Sequence, residues 1–205
     1  MSLDLYLKSA KPVRHRGTGV FIRKDGATRE LETIEEVKEY FPDADLSDIH
    51  VTDYVDDEVL HINLTHNLTE MASHIPIAGT DGTLTLPRDY ERDKPDFKPK
   101  PLTAYNLLWH PETNPLLNNE IMHRKDEDGD EWDIEITRLS PEFFRQLMVV
   151  YQYMETHREE LEQYNPSNGW GNYDQLLDAT YKLFRAVLEI SHENALPEYY
   201  IYCWT

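Results

Sequence analysis

The sequence predicts an α+β fold, a single domain over residues 1–205. It would hold one mixed, mostly antiparallel sheet backed by two long C-terminal helices, with a Pro-rich insertion loop at 76–101. Three observations carry this reading. Strand-like alternation dominates the first third and returns at the C-terminus. Two long stretches of helical periodicity fall late in the chain. Neither an internal repeat nor a low-complexity tract interrupts them.

The elements follow in order. Residues 2–8 alternate as a strand. Residues 19–24 and 28–33 flank Asp25-Gly26, a strong hairpin signal. Thr33-Ile-Glu-Glu36 is a capping box, and Ile34, Val37 and Phe41 supply helical spacing up to Pro42. Residues 50–55 and 58–64 read as two strands around a turn at Asp56-Asp57. Leu64, Leu68, Met71 and Ile75 then share one face of a short helix that ends before Pro76.

The 76–101 segment carries Pro76, Pro87, Pro95, Pro99 and Pro101, with a small strand expected at 83–86. Its length exceeds ordinary connections. Residues 103–109 make a short helix, and 120–125 with 131–138 a hairpin across Asp126-Glu-Asp-Gly-Asp130. Ser140 is a natural N-cap followed by Pro141, and Phe144, Leu147, Met148, Tyr151 and Met154 form an apolar stripe. Asn172 caps the last helix, whose core face is read as Leu176, Leu177, Thr180, Phe184, Val187 and Leu188. Residues 198–204 return as a strand.

Apolar residues make up 40% of the chain, enough for a packed core and too many for an acidic disordered tail. The longest apolar run is six residues, Tyr199 to Trp204, against the roughly 20 that span a bilayer. The start reads as a strand rather than a signal peptide, which with one cysteine places the protein in the cytoplasm. Cys203 can form no internal disulfide and reads as a small packed residue.

The formal charge is -19, unevenly spread. Residues 1–29 hold seven basic and two acidic side chains, a balance of +5. Residues 30–58 hold twelve carboxylates against Lys38, or -11, and residues 126–135 add seven carboxylates and no base. Such a field repels nucleic acid. It keeps a protein soluble, or else mimics nucleic acid toward a basic protein partner.

Two motifs carry chemistry. The first, Asn63-Leu-Thr-His-Asn-Leu68, leaves a strand and opens a helix. Asn63, Thr65 and Asn67 are good N-cap residues, and His66 falls in the first turn, where free N–H groups meet a polar ligand edge. The second is Asn168-Gly-Trp-Gly-Asn-Tyr-Asp174. Gly169 and Gly171 permit positive φ around Trp170, so the indole and Tyr173 are placed to stack on a planar ligand while Asn168 and Asn172 read its edge. Asp174 in the first turn disfavours a phosphate there.

No metal site is expected. His61, His66 and His74 lack ligand spacing, and the Asp126–Glu131 stretch has its glycine at position 4 rather than the position 6 of a calcium loop. No cofactor is expected either.

With Leu108-Trp-His-Pro111, these motifs resemble those of a family of small uncharacterised proteins from bacteria and their phages. Its members share Asn-Leu-Thr-His-Asn-Leu, Leu-Trp-x-Pro and Asn-Gly-Trp-Gly-x-Tyr segments. The chain departs from the pattern at His110, where arginine is usual, in its longer 76–101 insertion, and in lacking a cysteine pair near the start. The resemblance implies no activity. It implies that Trp109 and His110 belong with the two motifs in one site.

The leading expectation is an accessory or binding protein with a polar-aromatic pocket for a small planar, nucleoside-like ligand. The alternative is a hydrolase or transferase with His66 as general base. A third reading is an acidic interaction protein that holds a basic partner. Sequence leaves the oligomeric state open.

Overall fold

The computed structural model describes residues 2–24, 27–77, 79–125 and 131–204. Five strands, β1 (Ser2–Gly17), β4 (Thr52–Thr65), β5 (Asn118–Lys125), β6 (Glu131–Arg138) and β7 (Tyr199–Trp204), form one antiparallel sheet. Its order is β4-β1-β7-β6-β5, so the two ends of the chain meet at its centre. A separate hairpin is built from β2 (Phe21–Lys24) and β3 (Ala27–Glu30). The architecture is α+β, with six α-helices among the described residues. By internal contact the chain forms two compact units, Met1–Ala10 with Glu58–Thr205, and Lys11–Asp57.

In the smaller unit, β2 and β3 pair in register from Phe21 with Glu30 to Lys24 with Ala27. The turn at 25–26 lies outside the described residues. Helix α1 (Ile34–Tyr40) starts as its sequence dictates: the Thr33 hydroxyl accepts from the Glu36 N–H at 3.2 Å. The Glu36 carboxylate reaches back to the Glu32 N–H at 2.7 Å and also takes the Arg29 guanidinium at 3.1 Å. Leu31 and Val37 are buried beneath this turn.

In the larger unit the period-2 pattern of the strands decides the core. Leu3, Leu5 and Leu7 of β1 are fully buried, and Ile62, Leu64 and Ile201 join them in one hydrophobic cluster. Tyr6 shares its side of the sheet with Tyr202, its cross-strand partner. The buried side is covered by α4 (Pro141–Thr156) and α6 (Tyr173–His192), which contribute Phe143, Leu147, Val150, Met154, Leu176, Leu183 and Val187. Each such side chain stabilises the fold by roughly 1.5–3 kcal/mol through removal from water.

Three sequence expectations are corrected. The strands at 50–55 and 58–64 are one strand, β4, with no turn at Asp56-Asp57. β4 is hydrogen-bonded to β1 in the sheet, and pairing with a long neighbour outweighs the weak strand preference of an acidic stretch. On α4, the deeply buried row is Phe143, Leu147, Val150 and Met154, while Phe144 and Tyr151 stand half-buried against Phe184 of α6. The helix has two apolar sides, and spacing alone does not say which meets the sheet. The 83–86 segment forms only an isolated bridge, Leu84 with Pro101.

Residues 76–101 nevertheless have definite contacts. Bridges Pro76–Thr103 and Leu84–Pro101 close the segment, and the Leu86 N–H donates to the Thr113 carbonyl at 2.8 Å. The chain beyond Ile62 continues through a 3-10 turn, His66–Leu68, into α2 (Thr69–Ser73). Short helices α3 (Tyr105–Leu108) and α5 (Arg158–Glu162) complete the unit.

Before α6, Gly169 and Gly171 have φ of 73° and 95°. A methyl group on Gly171 would stand 2.6 Å from Thr65 Cγ2, whereas one on Gly169 would meet nothing within 4 Å. Gly171→Ala is therefore expected to cost roughly 2–4 kcal/mol, combining backbone strain with overpacking. Gly169→Ala should cost only the roughly 1–2 kcal/mol of a left-handed residue. Equal urea-unfolding free energies for the two variants would show that the close approach is not what Gly171 serves.

Candidate functional site

The 168–174 loop and the 63–68 segment are about a hundred residues apart, yet they touch. The Gly171 backbone lies against Thr65 and Leu68, where β4 turns into the 3-10 helix. Local chemistry shapes both partners. Thr65 caps the 3-10 turn by accepting from the Asn67 N–H at 3.3 Å. The Asn168 side-chain oxygen accepts from the Trp170 N–H at 2.9 Å, and Asn172 caps α6 by accepting from the Gln175 N–H at 2.9 Å.

Beside this contact lies a cleft of about 550 Å³. Asn63, Thr65, Gly169, Trp170 and Gly171 line one part of it, and Gln175, Asp178 and Lys182 of α6 another. Trp170 is 72% exposed, so its indole is kept in water at the rim instead of in the core. Asp178 and Lys182 pair with each other at 2.6 Å.

His61 also lines the cleft, and sequence reasoning did not give it a role there. Its Nε2 meets Asp4 Oδ1 at 2.8 Å, and the Asn63 amide donates to the same oxygen at 2.8 Å. The Tyr6 ring stacks on the imidazole with centroids 4.5 Å apart. The His61 and Asn63 hydrogen bonds hold the Asp4 carboxyl below its usual range. Alternation puts Asp4 with Tyr6 and His61 with Asn63 on like sides of their strands. The pairing of two strands nearly sixty residues apart was the missing signal.

The remaining expected site residues are distributed elsewhere. His66, Asn67 and Asn168 line a shallower depression of about 490 Å³ with Glu70 and Tyr164. Burial pushes the His66 imidazole below its usual range. Its ring nitrogens have no hydrogen-bond partner among the described residues. Trp109 and His110 line a third hollow, with Arg88 and Glu112. Tyr173 is not a stacking residue: it is 2% exposed and its hydroxyl donates to the Met154 carbonyl at 2.6 Å. Asn172 likewise serves its helix. The aromatic spacing that marks Tyr173 for a ligand equally suits a residue that anchors α6 to α4.

No family model, curated protein or solved structure matches this chain. Among the described residues, no helix is long and apolar enough to cross a membrane. No group of three or more His, Cys, Asp or Glu there is arranged to hold a metal ion. Cys203 is packed on the core, its thiol pointing to the Leu108 carbonyl at 3.7 Å, and burial raises it far from the thiolate form.

The Asp4 shift fixes a pH dependence. A carboxyl lowered on folding contributes stability in full above its unfolded value, about pH 4, and loses it as pH falls through the folded value. Asp4→Asn should lower the urea midpoint near neutrality, where the carboxylate contributes in full, and change it little at the acid end, so that the decline below about pH 4 is flatter. An acid limb identical to that of the unaltered protein would show that the His61–Asp4–Asn63 cluster makes no such contribution.

Proposed function

We propose that this is a binding protein whose cleft beside Trp170 takes a small, planar, polar ligand of the nucleoside class. The exposed indole is the observation that carries the reading. A tryptophan at 72% exposure gives up most of its burial energy, and two positive-φ glycines and an Asn168 hydrogen bond hold it in that position. A planar ring laid on it recovers that surface.

The polar groups nearby suit such a ring's edge. Asn63 spends its amide on Asp4, which leaves its carbonyl oxygen to accept. The Thr65 oxygen accepts from the backbone, which leaves its hydroxyl proton to donate. One acceptor and one donor beside a stacking platform read a heterocycle by its edge. Lys182 is held by Asp178, so the cleft offers a polyphosphate no unpaired lysine or arginine among its described lining residues, which favours the neutral nucleoside or base.

One specific observation favours the hydrolase or transferase reading as second. His66 is held toward its neutral form with unengaged ring nitrogens, beside Asn67 and Asn168, as a general base requires.

Titration with adenosine and a panel of other nucleosides, read by tryptophan fluorescence and calorimetry, tests the binding. Saturable binding is expected, weakened roughly tenfold or more in Trp170→Ala, the size of one lost base stack. The folded stability of that variant should be unchanged, because the side chain is exposed. Absence of binding by every nucleoside and free base, or full binding by Trp170→Ala, would refute the reading. Conversion of a bound nucleoside that disappears in His66→Ala, with binding retained, would promote the enzyme.

A further inference from the structure

The depression at His66 differs in chemistry from the Trp170 cleft. Its volume of about 490 Å³ is that of a small-molecule site. Three of the side chains that line it, His66, Asn67 and Tyr164, are half-buried. Among the described residues, the His66 ring nitrogens, the Asn67 carboxamide and the Tyr164 hydroxyl make no hydrogen bond. Polar groups removed from water in this way usually find partners. The Tyr164 ring is held by His74, which stacks on it with centroids 3.8 Å apart.

Two further amides on the same wall are already oriented. The Asn165 side-chain oxygen accepts from the Tyr173 N–H at 2.7 Å, and that of Asn168 from the Trp170 N–H at 2.9 Å. With each oxygen pinned to the backbone, the free end of each side chain is its NH2 group, which can only donate. The bonds that anchor the start of α6 thus also fix two donors in advance, so a ligand need not pay to order them. Glu70 supplies the opposite character, a carboxylate that only accepts and makes no hydrogen bond or ion pair among the described residues.

This set of groups selects a ligand. No lysine or arginine is among the described lining residues, and Glu70 repels an anion. A metal or ammonium ion would meet the amide protons of Asn165 and Asn168. An apolar molecule would expel water and leave the half-buried polar groups unanswered. A hydroxyl both donates and accepts, so adjacent hydroxyls on one ring satisfy donors and acceptors together. We propose that the depression binds an uncharged monosaccharide, whose neighbouring hydroxyls donate to Glu70 and accept from the Asn165 and Asn168 amides. The half-buried Asn67 completes the set as both donor and acceptor.

The test follows the side-chain NH2 signals of the ¹⁵N-labelled full chain during titration with glucose, galactose, mannose, ribose and N-acetylglucosamine. At least one of these sugars should move the Asn165 and Asn168 signals along a saturable curve and leave the Trp170 indole N–H in place. Asn67→Ala and Glu70→Ala remove side chains that make no hydrogen bond in the fold, and each should weaken that binding roughly tenfold. Absence of a saturable shift with every sugar overturns the proposal. So does an equal response when Asn67 and Glu70 are both replaced by Ala, or the same shift from sodium phosphate. Movement of these signals by adenosine without any response to free ribose also overturns it, because the depression then belongs to the nucleoside site. A sugar response in a protein that binds no nucleoside upholds it and refutes only the Trp170 reading.

Discussion

The backbone of Gly171 approaches Thr65 and Leu68 so closely that no side chain fits between them. This contact joins the loop before α6 to the end of β4, and the rest of the candidate site inherits its geometry from it. Thr65 can cap the 3-10 turn and face the cleft because Gly171 presents no Cβ. Trp170 lies outside because its neighbours on both sides are in the left-handed region, which turns the chain away from the core and back within three residues. Tyr173 completes the anchoring from within. Its N–H donates to Asn165 at 2.7 Å and its hydroxyl to the Met154 carbonyl, so α6 begins at a fixed place on α4. The exposed indole is thus positioned by buried groups, the arrangement by which a rigid scaffold carries a functional loop.

Much of this is visible in the residues alone, and the limits have physical causes. Caps at Thr33, Ser140 and Asn172 were legible because an N-cap is decided within four residues of chain. The hairpin of β5 and β6 was legible for the same local reason. The continuity of β4 through Asp56-Asp57 was not, because it depends on a partner strand supplied from the other side of the sequence. The same cause hid the His61–Asp4 pair, although both residues were in plain sight. The contact between the two Asn-rich motifs could be anticipated from what they share, since both are polar segments that open a helix. Their division among several hollows could not, because it depends on which way each side chain leaves the Gly171–Thr65 contact.

Charge is handled differently in the two units. In the smaller one Arg29 draws Glu36, and the other carboxylates of α1 and the following coil face solvent. Such exposed pairs contribute little to stability. In the larger one, Arg88, Glu91, His110 and Glu112 form a continuous chain of hydrogen bonds at the edge of the core. Being half-buried, these groups are costly to leave unpaired, and together they fasten the 88–91 segment to the turn after α3.

The bridges at Pro76–Thr103 and Leu84–Pro101 draw the Pro-rich segment together at a neck. A loop closed at its base transmits little to the domain when its tip changes length, because loop-closure entropy grows only slowly with added residues. The span between Leu86 and Pro101 is therefore a natural place for foreign sequence. An epitope, a fluorophore-binding peptide or a purification handle inserted among Lys94, Pro95 and Asp96, all exposed, would be displayed on a scaffold whose sheet and helices need not register its presence.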